Sequence, residues 1–211
     1  MEIFYFNELP STQTYLIDQI KDKKISLPLA VVTQNQTAGI GSRDNEWEGG
    51  EGNLFFSFAL KIESLPHDLP LSSASIYFSF IMKELLNEFS DDIWLKWPND
   101  LYQKKHKIGG TITKKIDNIL VCGMGINLKK NSNSFESLNL NIESDFLLKN
   151  YLDAVEKLPR WKHIFSKYEI EFHRNKSVSA HVKGEHKSLQ QAILREDGSL
   201  TINNKRVYSL R

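Results

Sequence analysis

The segment KWPNDLYQKKHKIGG (96–110) combines cations, a carboxylate and an amide around a break in a predicted strand. Its proline ends the strand IWLKW, so Asn99 and Asp100 are predicted where the chain turns out of the sheet. Lys96 precedes them inside the strand, and Lys107 begins the next strand. A lysine fixed in a strand is a point charge that can meet a carboxylate or a phosphate. These residue types and their spacing therefore indicate a contact for an anionic ligand.

The same segment also fits a solvated hairpin whose charges serve solubility. We interpret Lys104 and Lys105 in that way. Lys96 fits it less well, because Leu95 and Trp97 flank it and strand centres seldom bury an unpaired ammonium. On its residues alone the segment leaves both interpretations open.

A glycine-rich loop, QTAGIGSRDNEWEGGEGN (36–53), is the second candidate, and it carries almost no positive charge. It is neither GxGxxG nor a Walker A motif, whose Lys-Ser/Thr pair is missing. A strand rather than a helix follows it, so no helix N-terminus is available there for a phosphate. These features favour a surface loop. Trp47 favours a loop that becomes ordered over a ligand, because a large aromatic side chain needs a surface to cover.

The third candidate is GMGIN (123–127), at the end of an apolar strand. Its glycines allow a flat ligand to approach the backbone closely, and Asn127 can donate to and accept from a base such as adenine. Packing against a neighbouring element explains Gly-x-Gly equally well. The adjacent Cys122 has no predicted base beside it, and we interpret it as a buried core thiol.

Composition excludes several other classes of protein. The 211 residues suit one domain with a small appendage. A net charge of +1 gives no global attraction to nucleic acid or acidic lipid. The single cysteine excludes an internal disulfide framework and a cysteine-based zinc site. No apolar run approaches the ~20 residues of a membrane span, and the chain start lacks signal-peptide features. These features predict a cytoplasmic protein with no nucleic-acid or membrane partner.

The predicted elements alternate irregularly between strands and helices, with strands in the majority. Strands are predicted at 2–9, 28–34, 53–62 and 93–97, with a hairpin at 107–128 turning at Asp117 and Asn118. Helices are predicted after Ser11, at 71–89 and at 146–172, the last restarted or kinked at Pro159. From about Ser177 the pattern changes to short strands. This order predicts an α+β fold, a mixed β-sheet with helices on one face, followed by a small β-barrel-like module. The predicted division is 1–175 for the main domain and 176–211 for the C-terminal module.

Four stretches, in this order, resemble the biotin protein ligase family: LPSTQ (9–13), QTAGIGSRDNEW (36–47) with GNLFFSF after it, KWPNDLYQKKHKIGG (96–110) and GMGIN (123–127). KWPND, with a lysine seven residues after its aspartate and then a glycine-rich strand, is the specific part. The resemblance implies a fold like that of class II synthetases and biotin ligases, with an SH3-like barrel at the C-terminus.

The resemblance also implies an activity. Members of the family join biotin and ATP into biotinyl-5′-AMP with release of pyrophosphate, using Mg²⁺. They then transfer biotin to a lysine of a biotin carboxyl carrier protein, which belongs to acetyl-CoA carboxylase or a related carboxylase. Joining two anions requires a fixed cation where charge builds on the α-phosphate.

Individual residues acquire roles through the same resemblance. The implied biotin contacts are Ser11, Thr12, Gln13, Gln36, Gly39, Lys107, Gly109 and Gly110. The implied nucleotide contacts are Gly41, Ser42, Arg43, Trp47, Lys96, Asn99 and Asn127. The implied catalytic residues are Lys107, Asp100 and Arg43, with Asp100 also at the metal.

The chain departs from the family pattern in two places. Where the family commonly has GRGR, this chain has GIGS (39–42), so Ile40 and Ser42 replace two arginines. Arg43, one position later, is predicted to reach the same phosphate, with most of the countercharge coming from Lys107, Lys96 and a metal. Too few residues precede LPSTQ for the winged-helix DNA-binding domain of bifunctional members, so the monofunctional type is predicted.

Two rival functions fit parts of the sequence. Lipoate ligases and octanoyl transferases resemble the same fold, but their RRxSGGG-like loop or Cys-Lys pair is not found here. A non-catalytic biotin-binding module is suggested by the GIGS loop. Lys107 and the KWPND segment argue against it, because binding alone does not require a cation directed at a phosphate.

We predict that Arg43→Ala speeds the escape of the adenylate, because the loop then loses its remaining arginine beside the phosphate. Biotinylation of bystander proteins added to the reaction measures this leakage. Leakage equal to that of the wild type would show that Arg43 does not replace the missing arginines.

Overall fold

The computed structural model describes residues 1–41, 46–47, 52–129, 137–138, 142–182 and 184–208. The strands in these ranges are β1 (Glu2–Leu9), β2 (Leu29–Gln36), β3 (Gly39–Ile40), β4 (Glu46–Trp47), β5 (Leu54–Lys61), β6 (Ile93–Lys96), β7 (Asp100–Gln103), β8 (His106–Ile116), β9 (Ile119–Ile126), β10 (Ser179–Val182), β11 (Glu185–Ser188), β12 (Ile193–Leu194), β13 (Leu200–Ile202) and β14 (Lys205–Val207). The helices are α1 (Thr12–Lys21), α2 (Ala74–Leu86), α3 (Ser144–Glu156) and α4 (Trp161–Glu171), with 3₁₀ turns at Ile62–Ser64, Leu71–Ser73 and Phe172–Ser177. Within the described ranges, no helix is long and apolar enough to cross a membrane.

Seven strands form one sheet in the order β1-β2-β5-β9-β8-β7-β6. Strands β1 and β2 are parallel, since helix α1 connects them, and the other neighbouring pairs are antiparallel. The predicted hairpin is β8–β9, and Asp117 in its two-residue turn adopts the left-handed conformation with φ 48°. The prediction of a mixed sheet is confirmed.

Helices α2, α3 and α4 lie on one face of this sheet. The ring of Phe58 in β5 meets Phe78 of α2 edge-on, with centroids 5.0 Å apart, and Tyr151 of α3 at 6.0 Å. Tyr168 of α4 packs at 5.9 Å against Phe80 of α2. All five rings are fully buried. Helix α2 is therefore enclosed between the sheet and α4, which explains why it is apolar almost all round.

Helix α1 packs on the opposite face, an arrangement that differs from the expectation of helices on one face. Its Leu16 and Ile20 join Leu29 and Val31 of β2 and Val121 of β9 in a second, smaller core. The periodicity of α1 predicts an apolar stripe but does not say which face of the sheet that stripe covers. A strand buried on both faces, as β2 is, needs helices on both sides.

Cys122 lies in β9 and is buried. Burial raises the pKa of its thiol well above the usual value, because the thiolate would lose its solvation. The expectation of a core thiol rather than a nucleophile is confirmed.

After α4 the strands form two small antiparallel sheets, β10–β11 and β12–β13–β14, which fit the predicted SH3-like module. Leu200 in β13 belongs to the same core as α2. The indole of Trp161 in α4 donates to the carbonyl of Glu196 at 2.8 Å, which fastens a turn of the module to the main body. The expected boundary at residues 175–176 falls inside the 3₁₀ turn Phe172–Ser177. The division into two domains stays a prediction.

We predict that Phe58→Ala lowers the free energy of unfolding by about 3–5 kcal/mol, since it opens a void among the rings of α2 and α3. Urea denaturation monitored by circular dichroism measures the change. Ile170→Ala is the control, because the Ile170 side chain is 78% exposed, and its effect should stay below about 0.5 kcal/mol. Equal losses in the two variants would contradict the packing of this face.

Candidate functional site

A cavity of about 360 Å³ opens on the side of the sheet that carries α1. Its walls come from the start of α1, the end of β2, the β3–β4 ribbon and strands β5, β8 and β9. The lining residues are Ser11, Thr12, Gln13, Gln36, Ile40, Gly41, Trp47, Ser57, Asn99, Lys107, Gly110, Thr111, Ile112, Gly123, Met124, Gly125 and Asn127. A cavity of this volume suits one small molecule.

Uncharged hydrogen-bonding groups cluster at the start of α1. The Thr12 N–H donates to Gln36 Oε1 at 2.9 Å, and the Thr12 hydroxyl lies 2.9 Å from the hydroxyl of Ser57. Ser11 caps the helix by accepting from the N–H of Thr14. Ser11, Thr12 and Ser57 are almost completely buried. A buried cluster of amides and hydroxyls suits an uncharged polar group better than an ion, because it offers hydrogen bonds without a countercharge.

An ion pair lies beside another part of the cavity. Lys107 Nζ is 2.8 Å from Asp100 Oδ1 and 5.5 Å from the centroid of the Trp47 ring. The Lys107 side chain is 38% exposed and that of Asp100 is 21% exposed. A pair so accessible to solvent contributes only about 0–1 kcal/mol. An anionic ligand can therefore compete with Asp100 for the ammonium.

A β-bulge turns Lys107 towards the cavity. The register pairs Asp100 with Gly110 and, after a shift, Tyr102 with Lys107. Ile108 has no partner across the ladder and points into the main core. Because side chains alternate along a strand, Lys107 and Gly110, three residues apart, would face opposite sides without the extra residue. The bulge brings both to the cavity side.

The indole of Trp47 lies against glycines of two neighbouring strands. A Cβ at Gly125 would be 2.6 Å from indole Cε2, whereas one at Gly110 would be 3.5 Å from Cζ3. A side chain at 125 would therefore displace the ring. Trp47 Nε1 is buried and has no hydrogen-bond partner among the described residues. An unpaired donor in this position can be satisfied by an acceptor on a bound ligand.

Asn99 and Thr111 hold each other at the cavity wall. Asn99 Nδ2 donates to the Thr111 carbonyl at 2.6 Å, and the Thr111 N–H donates to the Asn99 carbonyl at 3.0 Å. The hydroxyl of Ser79 in α2 donates to Thr111 Oγ1 at 2.8 Å. Asn127 is held by its N–H, which donates to the carbonyl of Ile108 at 2.7 Å. Both asparagines are thus presented from a fixed backbone.

Most residues that the sequence predicts for the site line this cavity. They are Ser11, Thr12, Gln13, Gln36, Gly41, Trp47, Asn99, Lys107, Gly110 and Asn127. Asp100 reaches the site through its ion pair with Lys107. Ser42 and Arg43 lie outside the described residues.

Three predicted residues are not among the lining residues. Gly39 belongs to the β3–β4 ribbon. A Cβ on Gly109 would meet Ile126 Cδ1 at 2.7 Å, on the core side of the sheet. Lys96 Nζ lies 3.4 Å from the Tyr102 hydroxyl and 5.2 Å from the centroid of that ring. Direct ligand contacts by these three residues stay predictions.

Seven further lining residues are not among the individually predicted contacts: Ile40, Ser57, Thr111, Ile112, Gly123, Met124 and Gly125. A usable signal exists for three of them. Ser57 is the hydroxyl inside the apolar run LFFSFALK, and Gly123 and Gly125 belong to GMGIN. Ile112 carries no local signal, since the register of the sheet decides that it faces the cavity. Thr111 and Met124 belong to the cavity wall although their side chains face the main core.

The cavity has two chemically different parts along β9. A Cβ on Gly123 would lie 3.1 Å from Ser57 Oγ and 3.3 Å from Gln13 Oε1, in the uncharged part. Gly125, two residues or about 7 Å further along the strand, lies against Trp47, whose other neighbour is Lys107. An elongated molecule with an uncharged polar head and an anionic end matches this arrangement.

Comparison with known proteins gives a family and several relatives. The profile described as "Biotin/lipoate A/B protein ligase family" matches residues 5–131. The Escherichia coli protein named "Bifunctional ligase/repressor BirA" is 31% identical over 127 residues, which make up 57% of this chain and 38% of that protein. The matched segment thus spans less than half the length of this curated relative.

Solved structures are similar over nearly the whole chain. Biotin acetyl coenzyme A carboxylase synthetase from Helicobacter pylori, with bound biotinylated ATP, has a TM-score of 0.93 at 41% identity and covers 98% of this chain and 99% of its own. Biotin protein ligase from Aquifex aeolicus, in complex with biotin and ATP, has a TM-score of 0.78 at 21% identity, covering 100% of this chain and 96% of its own. The second likeness concerns the fold alone. With the family profile matching more than half of its residues, the chain belongs to the biotin/lipoate A/B protein ligase family.

Proposed function

We propose that the chain is a biotin–protein ligase. In the first step an oxygen of the biotin carboxylate attacks the α-phosphorus of ATP, the bond to pyrophosphate breaks, and biotinyl-5′-AMP forms. In the second step the amine of an acceptor lysine attacks the acyl carbon, AMP leaves and an amide forms. One observation carries the proposal: Lys107 and Asp100 form an ion pair beside a cavity whose other part is uncharged and polar.

Biotin has the chemistry that this cavity suits. Its cyclic urea is uncharged and offers one carbonyl acceptor and two N–H donors, which the hydroxyls and amides of Ser11, Thr12 and Gln36 can pair with. Its valeryl chain ends in a carboxylate, which we assign to Lys107. The further biotin contacts that we propose are Gln13, Gly39, Gly109 and Gly110.

Lys107 is assigned a second task at the nucleotide. The ammonium can lie between the biotin carboxylate and the α-phosphate, where it offsets the repulsion of two anions and the charge that builds during attack. The buried Nε1 of Trp47, which finds no hydrogen-bond partner within the described part of the chain, supports a ligand acceptor in the same region. The nucleotide contacts that we propose are Gly41, Ser42, Arg43, Trp47, Lys96, Asn99 and Asn127.

We propose that Mg²⁺ binds together with ATP. The part of the chain that the structure describes holds no group of three or more His, Cys, Asp or Glu side chains able to bind a metal. Mg²⁺ commonly binds through one or two carboxylates together with phosphate oxygens and water. Asp100 supplies such a carboxylate beside Lys107, so the residues fit a metal that the nucleotide carries in. When bound, Mg²⁺ would neutralise phosphate charge.

The acceptor that we propose is a biotin carboxyl carrier protein of acetyl-CoA carboxylase or a related carboxylase. Its support is the similarity, at 41% identity, to the Helicobacter pylori biotin acetyl coenzyme A carboxylase synthetase. We also propose that the protein acts in the cytoplasm and has no nucleic-acid or membrane partner.

Two measurements test the proposed function. Exchange of labelled pyrophosphate into ATP should require biotin, and intact mass spectrometry should show one biotin added to a carrier domain in the presence of ATP and Mg²⁺. Lipoate in place of biotin is the comparison acid. Exchange that depends on lipoate would favour a lipoate ligase, whereas biotin binding without any exchange would favour a binding module.

We predict that Lys107→Ala lowers the rate of biotin-dependent exchange by about 10²- to 10³-fold, the usual loss for one group that stabilises developing charge. Lys105→Ala is the control, because Lys105 is an exposed lysine of the same β7–β8 hairpin and should leave the rate unchanged. A wild-type exchange rate for Lys107→Ala would show that this ammonium takes no part in the reaction.

We also predict that Ser57→Ala weakens biotin binding about fivefold, because the Thr12 hydroxyl loses a partner worth about 1 kcal/mol. Isothermal titration calorimetry measures the affinity. Ser75→Ala is the matched control: Ser75 is equally buried, and its hydroxyl has no hydrogen-bond partner among the described residues. Equal biotin affinities for the two variants would show that Ser57 does not contribute to biotin binding.

A further inference from the structure

Strand β6 is the last strand of the sheet, yet the outer edge of its end is buried. Leu95 is 0% exposed and Trp97 is 2% exposed. A buried edge strand presents backbone N–H and C=O groups that have no neighbouring strand, and each such group must find another partner. Three of them belong to these two residues: the N–H and carbonyl of Leu95 and the N–H of Trp97.

A side-chain amide takes the place of the missing strand. Asn175 Nδ2 donates to the Leu95 carbonyl at 3.0 Å, and Asn175 Oδ1 accepts from the Trp97 N–H at 2.7 Å. The two groups come from residues two apart, as in the pairing of a backbone amide with a parallel neighbour. Glu171 Oε1 accepts from the remaining Leu95 N–H at 3.2 Å. Asn175 is completely buried.

The indole of Trp97 is held independently. Its Nε1 donates to the carbonyl of Gly198 at 2.9 Å, in a turn of the C-terminal module. Gly198 has φ +76°, and a Cβ there would lie 2.4 Å from Ser73 Oγ, so the turn needs glycine. Backbone and side chain of Trp97 are thus both held by residues from the last part of the chain.

This anchor lies immediately before cavity residues. Asn99 follows Trp97 by two positions and lines the cavity. Asp100 follows by three and binds Lys107 at 2.8 Å. Asn175 binds the backbone of Leu95 and Trp97, so its influence on the cavity runs through the end of β6.

We propose that Asn175 is a positioning residue for adenylate formation. Its amide holds the end of β6 so that Asn99 and Asp100 keep their places beside Lys107. The inference rests on the proposed ligase function and assigns to α4 and its 3₁₀ turn a task in that reaction. A misplacement of about 1 Å in groups that orient a substrate can cost about 10²-fold in rate.

The experiment compares Asn175→Ala, Asn175→Asp and a control with the wild type. Asn175→Ala removes both hydrogen bonds, whereas Asn175→Asp keeps the acceptor for the Trp97 N–H. Tyr168→Phe is the control: Tyr168 lies on α4, is fully buried, and its hydroxyl has no hydrogen-bond partner among the described residues. The control removes a polar atom from the same region without removing such a bond.

In biotin-dependent pyrophosphate exchange, kcat should fall by about ten- to a hundredfold for Asn175→Ala. It should also fall for Asn175→Asp, which sets a second acceptor against the Leu95 carbonyl. The KM for biotin should change by less than about threefold, because the residues assigned to its head lie on α1 and β2. Native-state hydrogen exchange should speed up at the Thr111 N–H, which donates to the Asn99 carbonyl. Amides of α1 should exchange as in the wild type, and Tyr168→Phe should match it in every measurement.

Unchanged kcat with unchanged exchange at Thr111 would overturn the inference. A loss accompanied by faster exchange throughout the chain would also overturn it, since that pattern means general destabilisation. If the wild-type chain shows no pyrophosphate exchange, the proposed ligase function is wrong. Hydrogen exchange at the Thr111 amide still tests whether Asn175 holds this segment. If Asn175→Ala fails to fold, Asn175→Asp carries both measurements.

Discussion

An ammonium beside a ligand cavity must have a partner before the ligand arrives, and it must be able to give that partner up. The pair of Lys107 and Asp100 meets both requirements because it is close, at 2.8 Å, but not buried. A fully buried pair would not release the lysine for a ligand, because separating the two side chains would leave each charge unpaired in a medium of low dielectric constant. At partial exposure the pair contributes about 0–1 kcal/mol, so an incoming carboxylate or phosphate can share or replace Asp100 at little cost.

The geometry of this pair depends on one irregularity in the sheet. Without the bulge at Ile108, the alternation of side chains would turn Lys107 into the apolar core and Ile108 towards the ligand. Gly110 and Gly125 then leave the space beside the lysine open to the indole of Trp47. The sheet therefore positions the Lys107 ammonium, and Gly110 and Gly125 leave space beside it for the ring of Trp47.

Much of the fold follows from local patterns, and the exceptions have physical reasons. The β8–β9 hairpin and the start of α1 after Ser11 rest on residues adjacent in the chain, and both agree with the prediction. The face on which α1 packs depends on the layering of the whole molecule, which periodicity does not encode. In the site, ten of the residues named through the resemblance line the cavity, whereas Ile112 faces it only because the register of the sheet places it opposite Gly123. Ser57 was discoverable, since a hydroxyl in an otherwise apolar strand needs a partner.

The position of the Lys107 ammonium on a strand bears on the departure of GIGS (39–42) from the family pattern, in which two arginines are common. A cation on a loop must be ordered together with the loop, and the loss of side-chain freedom alone costs up to about 2 kcal/mol for a lysine or arginine. Lys107 lies in β8, where it pairs with Tyr102 of β7, and its ammonium is already held by Asp100, so much of that ordering is complete before a ligand binds. If Lys107 serves the α-phosphate as proposed, the replacement of two family arginines by Ile40 and Ser42 in GIGS (39–42) leaves this charge in place. Among the described residues of the loop, Trp47 lies against Gly110 and Gly125 beside Lys107, so its ring covers the cavity where this charge is presented.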